Sequence, residues 1–164
     1  MNYLAITKSE IANGEGVRVC LWVSGCEHHC KNCQNPESWD CEAGKPFTEE
    51  DFNRLVKELK SPYYDGLTLT GGDPLYPKNI KIIEYIAFKI KELFPNKSIW
   101  CYTGYNFEDV KNESIMQYID VLVDGVYIDS KRDITLAFRG STNQRVIDVQ
   151  KSLKENKVIL KEEV

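Results

Sequence analysis

Val17-Arg18-Val19-Cys20-Leu21-Trp22-Val23-Ser24-Gly25-Cys26-Glu27-His28-His29-Cys30-Lys31-Asn32-Cys33 is the stretch on which the reading of this chain turns. Its first residues put Val17, Val19, Leu21 and Val23 on one side and Cys20 and Trp22 on the other. That is the pattern of a strand covered on both faces, as in a parallel sheet. A loop with the spacing Cys26-x3-Cys30-x2-Cys33 then leaves the strand. Three thiolates can hold three corners of a four-iron cluster, and the iron left without a protein ligand is then an open coordination site.

Outward from this stretch, apolar runs of strand length alternate with helical patterns. Thr48 stands before Glu49, Glu50 and Asp51 as a capped helix start, and Phe52, Leu55, Val56 and Leu59 follow at i, i+3, i+4 and i+7. Residues 65–70 read as the next strand, stopped by Gly71-Gly72-Asp73-Pro74. Over 78–94 a stripe of Ile80, Ile83, Ala87, Ile90 and Phe94 predicts a helix, closed by Pro95-Asn96. A strand at 98–102, a helix near 107–118 and a strand at 120–123 ending in Asp124-Gly125 come next; beyond Tyr127 the signal weakens, and 145–160 mixes a short strand with a helix. This order predicts an α/β fold with mostly parallel strands and right-handed crossovers. In such folds ligands gather at the carboxyl ends of the strands. The cysteine loop, the Gly-Gly-Asp-Pro turn, Thr103-Gly104 and Asp124-Gly125 are therefore expected to line one mouth.

The chain of 164 residues fits one domain, 1–164, large enough for a single core. With 42% hydrophobic and 28% charged residues it has the composition of an ordinary soluble protein. Its apolar runs are shorter than the ~20 residues that span a bilayer. The N-terminus, MNYLAITKSE, lacks the basic segment and long apolar stretch of a secretory signal, so a cytoplasmic location with reduced thiols is expected. A net charge of -4 argues against non-specific binding to nucleic acid or to an anionic membrane. Lys131, Arg132, Arg139 and Arg145 form a local basic exception, either a solvated face or a docking surface.

Other readings of the cysteines stand beside the cluster. His28 and His29 adjoin Cys30, which allows a structural zinc site of the Cys3His kind. Closing a tetrahedron inside the tight Cys26 to Cys30 interval would be strained, so both histidines read as loop surface. A disulfide framework is disfavoured where thiols stay reduced. Cys20 and Cys101 fall within strands and read as small buried apolar residues. Cys41 lies on a loop, as a plain thiol or as a fourth ligand that would close the open iron.

Cys26-x3-Cys30-x2-Cys33 resembles the cluster motif of the radical S-adenosylmethionine superfamily, and Gly71-Gly72-Asp73 is similar, with Asp for the usual Glu, to the turn that holds the methionine part of the cofactor there. One departure is Asn32, where the superfamily often has an aromatic residue before the last cysteine. An adenine contact at that point would come from backbone or from another side chain. A narrower resemblance rests on Asn13-Gly14-Glu15-Gly16-Val17-Arg18, Val23-Ser24-Gly25-Cys26, Gly71-Gly72-Asp73-Pro74-Leu75, Tyr102-Thr103-Gly104-Tyr105, Val121-Leu122-Val123-Asp124-Gly125 and Arg139-Gly140-Ser141-Thr142-Asn143-Gln144-Arg145. Together these resemble the family of activating proteins of anaerobic (class III) ribonucleotide reductase. They run in order over most of the chain, and the Arg139 to Arg145 tail carries the narrower assignment.

That resemblance implies a partial, open (β/α) barrel of the radical S-adenosylmethionine type. It implies a [4Fe-4S] cluster on Cys26, Cys30 and Cys33, with S-adenosylmethionine contacted by Asn32, Cys33, Gln34, Gly71, Gly72 and Asp73. Thr103, Asp124 and Asn13 are further candidates that equally serve as turn or cap residues. Glycines at 71 and 72 would let backbone groups approach the ligand, and Asp73 is expected to orient the turn and help neutralise the ligand's ammonium. The chemistry is borne by the cofactors, with no catalytic side chain. It forms a 5'-deoxyadenosyl radical that takes a hydrogen atom from a backbone glycine of the large reductase subunit. Tyr102 and Tyr105 read as packing rather than radical relays. The implied partners are that subunit, with residues 139–164 facing it, and an electron donor such as flavodoxin, and a homodimer is allowed. Two other classes remain: a radical enzyme acting on a small molecule, in the manner of 7-carboxy-7-deazaguanine synthase, and a zinc-binding adaptor.

Overall fold

In the computed structural model, which describes residues 1–162 and 164, the strands are β1 (Asn2–Glu10), β2 (Arg18–Val23), β3 (Lys45–Pro46), β4 (Gly66–Gly71), β5 (Ser98–Tyr102), β6 (Val121–Asp124) and β7 (Arg145–Asp148). The helices are α1 (Glu49–Leu59), α2 (Ile80–Leu93), α3 (Phe107–Val110) and α4 (Val149–Glu155). The strands make one open sheet in the order β3-β1-β2-β4-β5-β6-β7. Its middle, β2-β4-β5-β6, is parallel, as the alternation of strands and helices predicts. β1 and β7 join antiparallel, giving a mixed α/β architecture.

Local sequence accounts for these elements. Thr48 and Asp51 form a reciprocal capping box at the start of α1. β2 begins at Arg18, which is fully buried. Its guanidinium donates to Thr68 Oγ1, the Glu15, Leu67 and Ser98 carbonyls and Ser98 Oγ, and it lies over the Trp100 ring. Burial lowers its pKa to about 10, so it stays charged at neutral pH. A buried charge held by this many acceptors fixes the register of three strands at once.

The two faces of the sheet differ. Leu21 and Val23, Leu67 and Leu69, Ile99 and Cys101, and Leu122 join Leu55, Leu59, Ile83, Ile86 and Ile90 of the helices in one core. On the other face Trp100, Val121, Val123 and Val146 form a smaller cluster, covered by Tyr102 and Phe138. Among the described residues, the hydrophobic side chains packed against this cluster come from no helix.

The single helix expected near 107–118 is two pieces, α3 and a 3-10 turn at Ser114–Tyr118. The break brings Ile115, Met116 and Ile119 into the core, and Gln150 Nε2 takes the Met116 and Ile119 carbonyls at 3.0 and 2.6 Å. β1 carries two register shifts against β2, between Tyr3 and Ala5 and between Thr7 and Glu10. Beyond β7, Leu160 bridges to Ile147, and the amides of Asp148 and Lys161 pair with the Ile159 and Val146 carbonyls at 2.9 Å. Among the described residues no helix is long and apolar enough to cross a membrane.

Candidate functional site

At the carboxyl ends of the parallel strands the loops surround an open cleft of about 430 Å³. Cys26, Cys30, Cys33 and Gln34 enter it from the loop after β2, Gly71, Gly72 and Asp73 from the turn after β4, and Thr103 and Gly104 from the turn after β5. Gly125 to Tyr127 follow β6, and Phe138 and Arg139 reach in from the segment before β7. Its floor is the sheet face that carries the smaller cluster, with Trp22, Thr70, Tyr102 and Val123. The strand ends thus converge as the sheet topology predicts.

Each thiol meets a backbone N–H. The Cys26 sulfur faces the amides of His28 and His29, and the Cys30 sulfur faces that of Tyr127. Asn35 N lies 3.4 Å from Cys33 Sγ. Such donors favour thiolates and are among the bonds that tune iron–sulfur clusters. Burial pushes the Cys26 thiol up to about 11 and raises that of Cys30. A bound cation reverses this, because a coordinating thiol loses its proton outright.

No imidazole completes the set. His28 Nε2 is 2.7 Å from Asp73 Oδ2, and His29 stacks on Trp39 with ring centroids 4.7 Å apart. Among the described residues no group of three His, Cys, Asp or Glu gathers around one point for a single metal ion. Cys26, Cys30 and Cys33 line one cleft, and thiolates are the donors that hold iron–sulfur clusters. Cys41 is outside the cleft lining, 3.7 Å from Lys78 Nζ, and Cys20 and Cys101 are fully buried as expected.

The Asp73 carboxylate is buried and saturated. Oδ1 accepts from Leu75 N at 2.8 Å and Thr103 Oγ1 at 2.9 Å; Oδ2 accepts from Gly104 N at 2.9 Å and also faces Thr103 Oγ1 and His28 Nε2. Its oxygens thus serve the chain, and their bonds to residues 75, 103 and 104 hold the turn after β4. The hydrogen bond that His28 donates to the Asp73 carboxylate raises the histidine's pKa, against the opposite pull of burial. Thr103, likewise, turns its hydroxyl to Asp73.

The two glycines are required by the chain itself. Gly71 has φ +103, and a Cβ there would sit 2.5 Å from Val23 N; a Cβ on Gly72 would sit 2.5 Å from Gly25 O. Close approach of a ligand is thus not needed to explain them, although both line the cleft.

Two expected contacts fall elsewhere. Asp124 is buried under Arg145, whose Nε and NH2 lie 3.1 and 2.5 Å from its carboxylate, and it accepts from Phe107 N at 2.8 Å. It caps the turn into α3 and is absent from the cleft lining. Asn32 adopts φ 56 and gives its amide to Asp129 Oδ2 at 2.9 Å, latching the cysteine loop to the segment after β6 instead of entering the cleft. Asn13 and Gln34 do line it, and the Asn13 carbonyl takes the Thr68 hydroxyl at 2.8 Å. Arg145 also pairs with Glu108 at 2.8 Å, so its charge is spent within the chain.

Unpartnered atoms mark what the sequence reading missed. Asn35 Nδ2, Tyr102 Oη and Arg139 Nε are buried without a hydrogen-bond partner, and all three residues line the cleft. Such atoms are rare and call for an explanation such as a ligand. The basic residues had pointed to a face or docking surface, and nothing local in the sequence distinguishes Arg139, which lines the cleft, from Arg145, which is paired.

A model of the 4Fe-4S single cluster domain family matches residues 12–147. The chain is 43% identical over 146 residues to the anaerobic ribonucleoside-triphosphate reductase-activating protein of Enterobacteria phage T4, covering 89% of this chain and 93% of that protein. It is 42% identical over 150 residues to the protein of the same name from Pasteurella multocida (strain Pm70), covering 88% and 95%. With the one from Escherichia coli (strain K12) it shares 38% identity over 151 residues, covering 89% and 97%.

Proposed function

This chain belongs to the family of anaerobic ribonucleoside-triphosphate reductase-activating proteins, and from that premise we propose that it is the activase that installs a glycyl radical on the large subunit of the anaerobic reductase. Cys26, Cys30 and Cys33 would hold the [4Fe-4S] cluster, and the cleft beside them would take S-adenosylmethionine. The observation that carries this reading is the meeting of these thiols with unpartnered Asn35, Tyr102 and Arg139 in one cleft. When bound, the cluster and S-adenosylmethionine supply reductive cleavage of a carbon–sulfur bond and abstraction of a hydrogen atom from the partner's glycine.

The chain's own contribution is placement and electrostatics. The amides of His28, His29, Tyr127 and Asn35 would stabilise the ligating sulfurs. The Asp73 carboxylate fixes the turn after β4 against the cysteine loop through His28. The openness of the cleft suits a substrate that is itself a protein loop. We read residues 1–164 as one domain and its sheet as a partial, open barrel of the radical S-adenosylmethionine type. The electron would come from a flavodoxin-type donor in the cytoplasm, and the activase would work alone or as a homodimer.

Anaerobic mixing with the large subunit, S-adenosylmethionine and a strong reductant tests the reading by electron paramagnetic resonance. A glycine-centred doublet that needs all components is expected. Its absence when the activase holds iron and sulfide would overturn the reading.

A further inference from the structure

Arg139 is the one Lys or Arg among the described residues that line the cleft. Its Nε is buried without a partner, and it joins none of the ion pairs among the described residues. A buried guanidinium N–H left unsatisfied costs free energy, although the residue as a whole is only partly buried. The backbone on either side is held. Phe138 adopts φ 59, an outlier for a bulky residue, with its ring edge-on to Trp100 at 5.1 Å. Gly140 N donates to Gln144 Oε1 at 2.9 Å, and Gln144 Nε2 reaches the Gly125 carbonyl at 3.0 Å. Backbone strain held in place by fixed neighbours is characteristic of ligand clamps.

Arg139 lines the same cleft as the three thiols. A Cβ on the adjacent Gly140 would lie 3.1 Å from the Tyr127 ring, and the Tyr127 amide faces the Cys30 sulfur. The other nitrogen base in the cleft lining, His28, is committed to Asp73. A carboxylate brought in here needs a positive partner, and Arg139 is the one left over. We propose that Arg139 grips the carboxylate of the amino-acid end of S-adenosylmethionine, by the paired N–H donors that match a carboxylate. This rests on the cleft being the S-adenosylmethionine site.

The test compares ligand affinity, not turnover. Anaerobically reconstituted wild type and Arg139→Ala are titrated with S-adenosylmethionine and with decarboxylated S-adenosylmethionine, which keeps the sulfonium and the amine. Arg139→Ala should weaken the first about 10- to 100-fold and leave the second within about 2-fold, as expected for loss of one charged hydrogen-bonded pair. Arg139→Lys should recover part of the loss, since it keeps the charge without the fork; it also carries the comparison if the alanine variant does not fold. Equal S-adenosylmethionine affinity in wild type and variant overturns the proposal, and so does equal weakening of both ligands. Intact affinity with lost reductase activation would assign the cation to a carboxylate of the partner and overturn it too. If wild type holding iron and sulfide binds no S-adenosylmethionine, the reading of the cleft itself falls and the proposal with it.

Discussion

His28 Nε2 lies 2.7 Å from the buried Asp73 Oδ2, and this contact pins the loop that carries the thiols to the turn that follows β4. The His28 ring also rests on Gly104, where a Cβ would sit 2.4 Å away, and edge-on to Tyr105 at 4.6 Å. Three segments far apart in sequence are thus fastened at one side chain.

His28→Ala is expected to lower stability by about 1.5–3 kcal/mol, the range for hydrogen bonds to a charged group. His28→Gln, which keeps a donor, should recover part of it. Asp73→Ala should cost more than His28→Ala, because it strands the Leu75 and Gly104 amides and the Thr103 hydroxyl together. Urea unfolding of the three variants checks the order, and a Asp73→Ala curve overlying wild type would remove the clasp from the account.

Replacing any one of Cys26, Cys30 or Cys33 by Ala should abolish a full complement of iron and sulfide while far-UV circular dichroism stays near wild type, since the core from Tyr3 to Val149 contains none of them. Cys41→Ser should load normally, because Cys41 lies outside the cleft. Iron and sulfide analysis decides both, and a Cys41→Ser protein short of iron would refute the ligand set.

Gly71→Ala forces an alanine to φ +103 and drives its Cβ to 2.5 Å from the Val23 amide nitrogen. The neighbour is backbone of a central strand and cannot step aside, so a loss of about 2–4 kcal/mol is expected. A urea midpoint within error of wild type would show that the turn relaxes freely.

Arg145 holds the Glu108 carboxyl below its usual range by hydrogen bonding. With the folded value depressed, the contribution is present above the ordinary carboxylate range and is lost as pH falls through the depressed value. Glu108→Gln should therefore lower stability at neutral pH by at most about 1 kcal/mol, as for exposed pairs, and the two proteins should converge in acid. Melting curves across the acid range check this, and a gap that widens toward low pH would reverse the sign.

The parallel middle of the sheet and the thiol loop were legible because their signals are local. β2, α1 and β5 follow from side-chain periodicity, and the cysteine spacing sits within one loop. β1 was not anticipated, since its two register shifts erase a clean two-residue alternation. The split of the expected 107–118 helix depends on Gln150, which comes from another element.

At the site, residue identity located the turns but not where each polar group spends its bonds. Asp73 and Asp124 look alike in sequence, each closing a strand. One is saturated by donors from residues 28, 75, 103 and 104, the other by Arg145 and Phe107. Which of Arg139 and Arg145 stays unpaired depends on Glu108 and Asp124, and no local pattern encodes that choice.

Both borders of the sheet are blunted. On one side Lys45-Pro46 caps the first residues of β1, and the two register shifts disturb the rest. On the other, the returning chain at Ile159 to Lys161 occupies the outer edge of β7. Accretion of a second copy strand to strand is thereby disfavoured at either rim, which works against fibrous growth.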